Sequence, residues 1–447
     1  MPTENTHNQP FVDSFDPARP GLPGAELEWL KAFREAGIER FESLGLPTTK
    51  LETWKYTRLR PLEDTRYQPV TDEDAMAVLD SVPSLLPDPG GRPRLVFVNG
   101  QMRPNFWIEG DLPEGVTLEC LRDALENQPD LMRERLGADG GEDAPSLVQL
   151  NAAMMDTGFV LRVEEGVRVE TPIEVIFVGG LTDRPVAYSP RNLIVLGKGA
   201  EATVVKYHAG LGVGAYFANS VTEIDVGPGA VLRNYKIQAE AKEATHIGTV
   251  RARVARDATY ESFSLSIGGR LSRNEVSVRL EGEDGHAAVN GAYLMRGNEH
   301  CDNTTQIDHL VPHTTSREVF KGVLDDESKA VFQGRIVVHK DAQKTDGHQL
   351  CKTLLLSTGA EIDAKPELEI YADDVKCSHG ATVGDLDREA LFYLQARGID
   401  PAGARALLIE GFIAELLDDV DQPAVAAQLR AMFADWQGAR GRAAEAA

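Results

Sequence analysis

One thiol and one imidazole stand two residues apart in the stretch Glu367-Leu368-Glu369-Ile370-Tyr371-Ala372-Asp373-Asp374-Val375-Lys376-Cys377-Ser378-His379-Gly380-Ala381-Thr382-Val383-Gly384. The stretch begins as a strand-like run and ends in a glycine-bounded turn. Side chains alternate between faces in an extended strand, so Cys377 and His379 would point the same way, roughly 6.5–7 Å apart along the backbone. A sulfur and an imidazole nitrogen at that separation can reach one metal ion or one sulfur atom. Taken alone, the pair fits equally a buried thiol beside a hydrogen-bonded histidine. Asp373 and Asp374 add oxygen donors of a kind that suits iron, although a solvated turn is the simpler reading of both.

Other chemistries are poorly served by the chain. Its four cysteines, Cys120, Cys301, Cys351 and Cys377, include no Cys-x-x-Cys pair and no disulfide spacing. They predict reduced thiols, and no local motif holds a four-thiolate cluster, so any cluster would be shared with a partner. Gly197-Lys198-Gly199-Ala200 lacks the spacing and the following helix of a phosphate loop. There is no H-E-x-x-H zinc motif, no G-x-S-x-G elbow and no G-x-G-x-x-G after a strand. Six of the ten histidines lie between His286 and His348. Pro312 argues against a helix that would present His309 and His313 together. These histidines are read as marks of the fold on turns and outer faces, not as a site.

The net charge of −24 over 447 residues argues against nucleic acid or an anionic membrane surface as a partner. No apolar run approaches the roughly 20 residues that span a bilayer. The segment Met1 to Asp13 is polar, without the apolar centre of a signal peptide, which predicts a cytoplasmic protein.

Three elements must position the Cys377–His379 pair. Residues 1–150 read as mainly helical, with Leu30, Phe33, Gly37, Phe41 and Leu44 at helical spacing and a short strand at Leu95 to Asn99. Leu51-Glu52-Thr53-Trp54-Lys55-Tyr56-Thr57 reads as an exposed loop or helix start. Residues 151–384 lose helical periodicity. Short Val-, Ile-, Leu- and Thr-rich runs are broken by turns that close on Ala200, Ala230, Ala258, Ala287, Ala330 and Ala360. Recurrence at roughly 29 residues, with one longer interval between Ala287 and Ala330, predicts a parallel β-solenoid rather than an antiparallel sandwich. Residues 385–447 turn helical again, with Gly398 as a cap, Asp400-Pro401 opening a second helix and Gln422-Pro423 a third. The expected class is α+β. The last strand of such a solenoid has an open edge, where a second chain would bring its own donors to Cys377 and His379.

Trp54-Lys55-Tyr56-Thr57, Gln343-Lys344-Thr345-Asp346, Leu354-Leu355-Leu356-Ser357, Leu391-Phe392-Tyr393-Leu394 and above all Pro366 to Gly384 resemble the SufB/SufD family of iron–sulfur cluster assembly proteins. Cys377-Ser378-His379-Gly380 is similar to the SufD branch more than to the SufB branch. The resemblance implies a right-handed parallel β-helix flanked by helical N- and C-terminal domains. It implies a non-enzymatic subunit of the SufBCD complex, paired with SufB at the β-helix end and with the ATPase SufC through the C-terminal helices. His379 first, and Cys377 second, would contact iron or a transient cluster shared with SufB, with no stably bound cofactor. A SufB-like scaffold paralogue and a β-helix carbohydrate-active enzyme are the alternatives, as is a homodimer where SufB is missing.

Overall fold

The Val-, Ile- and Thr-rich runs of the central region form parallel strands that alternate between two sheets. The computed structural model describes residues 7–88, 90–138, 144–180, 182–212 and 214–445; the first six residues, on which part of the leader reading rests, lie outside them. From Arg191–Leu196 onward successive strands go to opposite sheets, so each coil of the chain contributes one strand to each. The first sheet ends with His300–His309, Lys329–Val338 and Glu361–Ile370, the second with Thr315–Leu324, Asp346–Leu355 and Lys376–Gly384. This is a parallel β-helix.

The register measures the coil directly. Thr245 pairs with Leu271 and Lys329 with Glu361, so a coil near the open end takes more chain than one in the middle. Every turn alanine singled out from the sequence is buried. The long interval from Ala287 to Ala330 has a plain cause. Ala287 lies in a strand of the second sheet and Ala330 in one of the first, so the step is about one and a half coils. At the corners one residue takes a left-handed conformation, as Gly229 (φ 66°), Asp257 (φ 56°) and Lys344 (φ 64°) do, which explains the Gly and Asp content of the turns.

Strands are longer than their apolar runs. Ser262 to Ile267 extends to Thr259–Gly268, and Glu275 to Leu280 extends to Leu271–Leu280. The added residues include inward-facing polar side chains such as Asn274, which accepts a hydrogen bond from Lys236 Nζ across the lumen at 3.3 Å. Apolar residues still fill most of the lumen, with Phe177, Tyr260, Val278, Phe320 and Phe332 in one continuous core.

Helices cover the outer faces. Helix Glu28–Leu44 caps at Gly45 (φ 73°) and belongs with N-terminal segments that pack on Leu193, Phe217, Ile247 and Leu271 of the first sheet. The C-terminal helices Pro401–Leu417 and Pro423–Glu445 bury Ile409, Ile413, Leu429 and Phe433 against Tyr207, Tyr235, Phe263, Leu294 and Val323 of the second. Helix Arg388–Gln395 is capped by Asp387, which accepts from Glu389 and Ala390 N–H groups. The N-terminal region is not purely helical around one strand. Arg94–Val98 extends the second sheet, and Gln101–Met102 and Val116–Cys120 close the two sheets by antiparallel pairing.

Of the expected exposed loop or helix start, the Trp54 segment keeps a helical turn at Glu52–Trp54 but not the exposure of its tryptophan. Trp54 and Thr57 are buried. The Arg273 guanidinium stacks 3.8 Å from the Trp54 ring centroid and donates to the Thr53 carbonyl at 2.8 Å, while Thr57 Oγ1 bonds Asp302. The segment fastens the N-terminal region to the solenoid, and of Trp54-Lys55-Tyr56-Thr57 only Lys55 stays exposed.

Candidate functional site

Both sheets stop at the same end of the solenoid, and no described element covers them there. Lys376–Gly384 pairs only with Asp346–Leu355, and Glu361–Ile370 only with Lys329–Val338. The outer edges of these two strands therefore carry unpaired backbone N–H and C=O groups. Ile370, Tyr371 and Val383 are exposed beside them.

The turn before the last strand is held from the coil beneath. Lys344 N–H donates to the Asp374 carbonyl at 2.6 Å, and Gln343 Oε1 accepts from Asp374 N–H at 3.0 Å. Lys376 N–H then donates to the Thr345 carbonyl at 2.8 Å, which starts the strand in register. So the Gln343-Lys344-Thr345 sequence acts as the seat of the strand that bears Cys377. Asp374 is ion-paired to Lys344, and Asp373 is exposed; neither is gathered with Cys377.

Alternation puts Cys377 and His379 on the inward face of this terminal strand. Cys377 sits in register with Gly347 and packs beside Ile336, Val338 and Ala372; it is half-buried. Burial pushes its thiol up from the ordinary value, with a hydrogen bond from Gly347 acting the other way. The other three cysteines are buried, and burial pushes each of them up to about 11. Cys377 is thus the one cysteine open to chemistry from outside.

His379 is exposed and has no hydrogen-bond partner among the described residues. It lies in register with Gln349, whose Nε2 donates to Glu318 Oε2 at 2.6 Å one coil further in. Glu318 is buried, which pushes its carboxyl up to about 7. Gly334 on the facing strand makes room for this row, since a Cβ there would fall 2.0 Å from Gln349 Nε2. Sequence reasoning missed Glu318 and Gln349; their spacing of one coil is the signal that was available.

The histidines between His286 and His348 do not converge. His300 bonds Thr57 at 3.1 Å, His309 bonds Thr314 and Ser316, and His286 bonds Thr315. His339 faces Asp308 and His348 bonds Ser378. They serve the fold, one coil at a time.

The architecture is a parallel β-helix with helix-covered flanks and a thiol–imidazole pair at one bare end. Two family models match the chain: "SUF system FeS cluster assembly, SufBD core domain" over residues 179–412, and "SufBD protein N-terminal region" over residues 5–175. The chain belongs to the SufBD family of iron–sulfur cluster assembly proteins. It is 33% identical to the iron–sulfur cluster assembly protein SufD of Escherichia coli over 89% of this chain and 94% of that one. It is 27% identical to SufD of Bacillus subtilis over 90% and 93%, and 29% identical to a SufBD family protein of Synechocystis over 92% and 91%. Its relationships are therefore those of a SufD-type component of the SUF system. Among the described residues no helix is long and apolar enough to cross a membrane.

Proposed function

We propose that this chain is a non-enzymatic, cytoplasmic subunit of a SufBCD-type complex that pairs end-on with SufB and supports iron capture and nascent cluster assembly at the junction. The observation that carries this reading is the placement of Cys377 and His379 on the inward face of the last strand, whose outer edge is unpaired. Joining a second solenoid there would continue both sheets and enclose the two donors with those of the partner. His379 is the first contact and Cys377 the second, for iron or a cluster held in passing rather than a resident cofactor. Where SufB is missing, the same edges would join two copies of this chain.

The C-terminal helices offer a second surface. Phe392, Tyr393 and Leu407 are exposed on them, and the Arg397 guanidinium stacks 3.4 Å from the Tyr393 ring centroid. Apolar side chains left bare on a small helical layer fit docking of the ATPase SufC. Lys321 Nζ ties this layer to the second sheet through the Phe412 carbonyl at 2.6 Å and Glu415 at 2.7 Å. Lys321 pairs in register with Lys352, and Lys352 with Thr382. A pull on the helices would thus reach the strand that carries His379 through two rungs of backbone.

The test is reconstitution with SufB and SufC without oxygen, followed by the absorbance of the assembled cluster. Replacing His379 by alanine should lower cluster formation severalfold while the subunits still copurify. Unchanged cluster formation would remove His379 from the role.

A further inference from the structure

We propose that His208, Glu240 and His246 form a second, interior site for a divalent first-row transition ion of the ferrous or zinc class. The three residues lie inside the solenoid, far along the chain from Cys377 and His379. Among the described residues they are the one group of three donor side chains whose ligand atoms all lie within 4.8 Å of one another. The placement follows from the coil. His208 and Glu240 come from neighbouring strands of the second sheet, Glu201–Leu211 and Val231–Glu240, and His246 from the first sheet, where the chain has just turned the corner.

The donors are both buried and under-used. His208 Nδ1, Glu240 Oε1 and His246 Nε2 have no hydrogen-bond partner, although each side chain is buried. His246 Nδ1 lies 2.9 Å from Glu240 Oε2, but without hydrogen-bond alignment. Buried polar atoms are costly to leave unpaired, and several of them lie together here, so the cluster calls for an occupant. Two imidazoles and one carboxylate are a donor set of borderline softness, suited to zinc or ferrous iron rather than calcium or magnesium.

The surroundings hold the donors in place. The Phe177 ring stacks on His208 with centroids 5.0 Å apart, and Gln238 Nε2 donates to Glu240 Oε2 at 3.2 Å, an orienting contact of the kind that supports metal ligands. Two lysines share this part of the lumen. Lys206 donates to Thr222 Oγ1 at 3.4 Å and Lys236 to Asn274 Oδ1 at 3.3 Å, so each Nζ has its own partner. A surface cavity of about 920 Å³ is lined in part by Glu240, Glu243, Gly268 and Glu299.

This inference does not rest on the SufB-facing reading, and its test uses the full chain alone. The purified protein, stripped of metal and kept reduced without oxygen, is titrated with Co²⁺, Zn²⁺ and Fe²⁺. Retained metal is counted by mass spectrometry, and the Co²⁺ spectrum is recorded. The expected result is about one equivalent, with ligand-field bands but no thiolate charge-transfer band, and a thermal midpoint that rises with added ion because binding favours the folded state. Glu240→Gln and His246→Gln should each weaken binding about tenfold or more, whereas the double variant Cys377→Ala, His379→Ala should bind as the natural chain does. The midpoint shift of the unsubstituted chain keeps the proposal testable if either variant folds poorly. No retained ion and no midpoint shift overturns the proposal, and so does binding that disappears only in the Cys377/His379 variant.

Discussion

His379 stands in register with Gln349, which donates to the buried carboxyl of Glu318 one coil deeper. The terminal imidazole is therefore the exposed end of an inward-facing polar row. This row and the half-buried thiol of Cys377 occupy the same strand face, at the one end of the solenoid where both sheets are left unpaired.

Thiol accessibility separates Cys377 from the rest. Cys120, Cys301 and Cys351 are buried with thiols pushed up to about 11, while Cys377 is half-buried. Alkylation of the folded chain near neutral pH should modify Cys377 at least ~10-fold faster than the other three, because reaction needs exposed thiolate. Peptide mass spectrometry over a time course reads this out. Equal labelling of all four would mean that the coil opens more easily than its packing implies.

The open edge makes a prediction about association. Val383 is 48% exposed on the terminal strand. Val383→Asp should leave thermal stability nearly unchanged, as surface substitutions do within about 0.5 kcal/mol. It should weaken the proposed end-on pairing with SufB or with a second copy about tenfold or more, since a charge would be buried at the junction. Sedimentation or calorimetry against each partner measures it, and full-strength pairing would place the interface elsewhere.

Glu318 sets a slope in stability with pH. Folding raises its pKa from 4.5 to about 7, so between these values the folded chain holds the proton that the unfolded chain releases. Its contribution is complete below about pH 4.5 and is lost as pH rises toward about 7. Glu318→Gln should remove this part of the slope and leave the variant about 1–3 kcal/mol more stable than the natural chain above neutral pH. Urea midpoints of both proteins across this range provide the comparison. Glu299 and Asp156, also raised to about 7, contribute equally to each and cancel.

Arg273 should be the costliest single cation to remove. It is fully buried, paired with Asp302 and Glu275, and stacked on Trp54. Arg273→Ala strands the buried Asp302 carboxylate and frees the Trp54 segment, for a loss of about 3–5 kcal/mol. Arg273→Lys should recover only part of this, because an ammonium cannot both stack and fork. Chemical denaturation of the two variants gives the values.

Much of this protein was legible from its residues alone. Regularly recurring turn alanines encode stacked coils, since each corner must tuck a small side chain inward. Cys377 and His379 share a face because strand side chains alternate, a local property that needs no distant partner. The helix start at Asp400-Pro401 is equally local, with Asp400 accepting from the Gly403 N–H.

What the residues alone did not disclose depends on which strands become neighbours. The long interval from Ala287 to Ala330 looked like a lapse and proved to be a step between sheets, visible only in the register. Trp54 read as exposed because its cover, Arg273, comes from a strand far along the chain. His208, Glu240 and His246 carry no spacing motif, yet two sheets fold them to within 4.8 Å. In a solenoid, contacts along the lumen are fixed by coil length and corner geometry together, so donors scattered in the chain meet only after the coils have stacked.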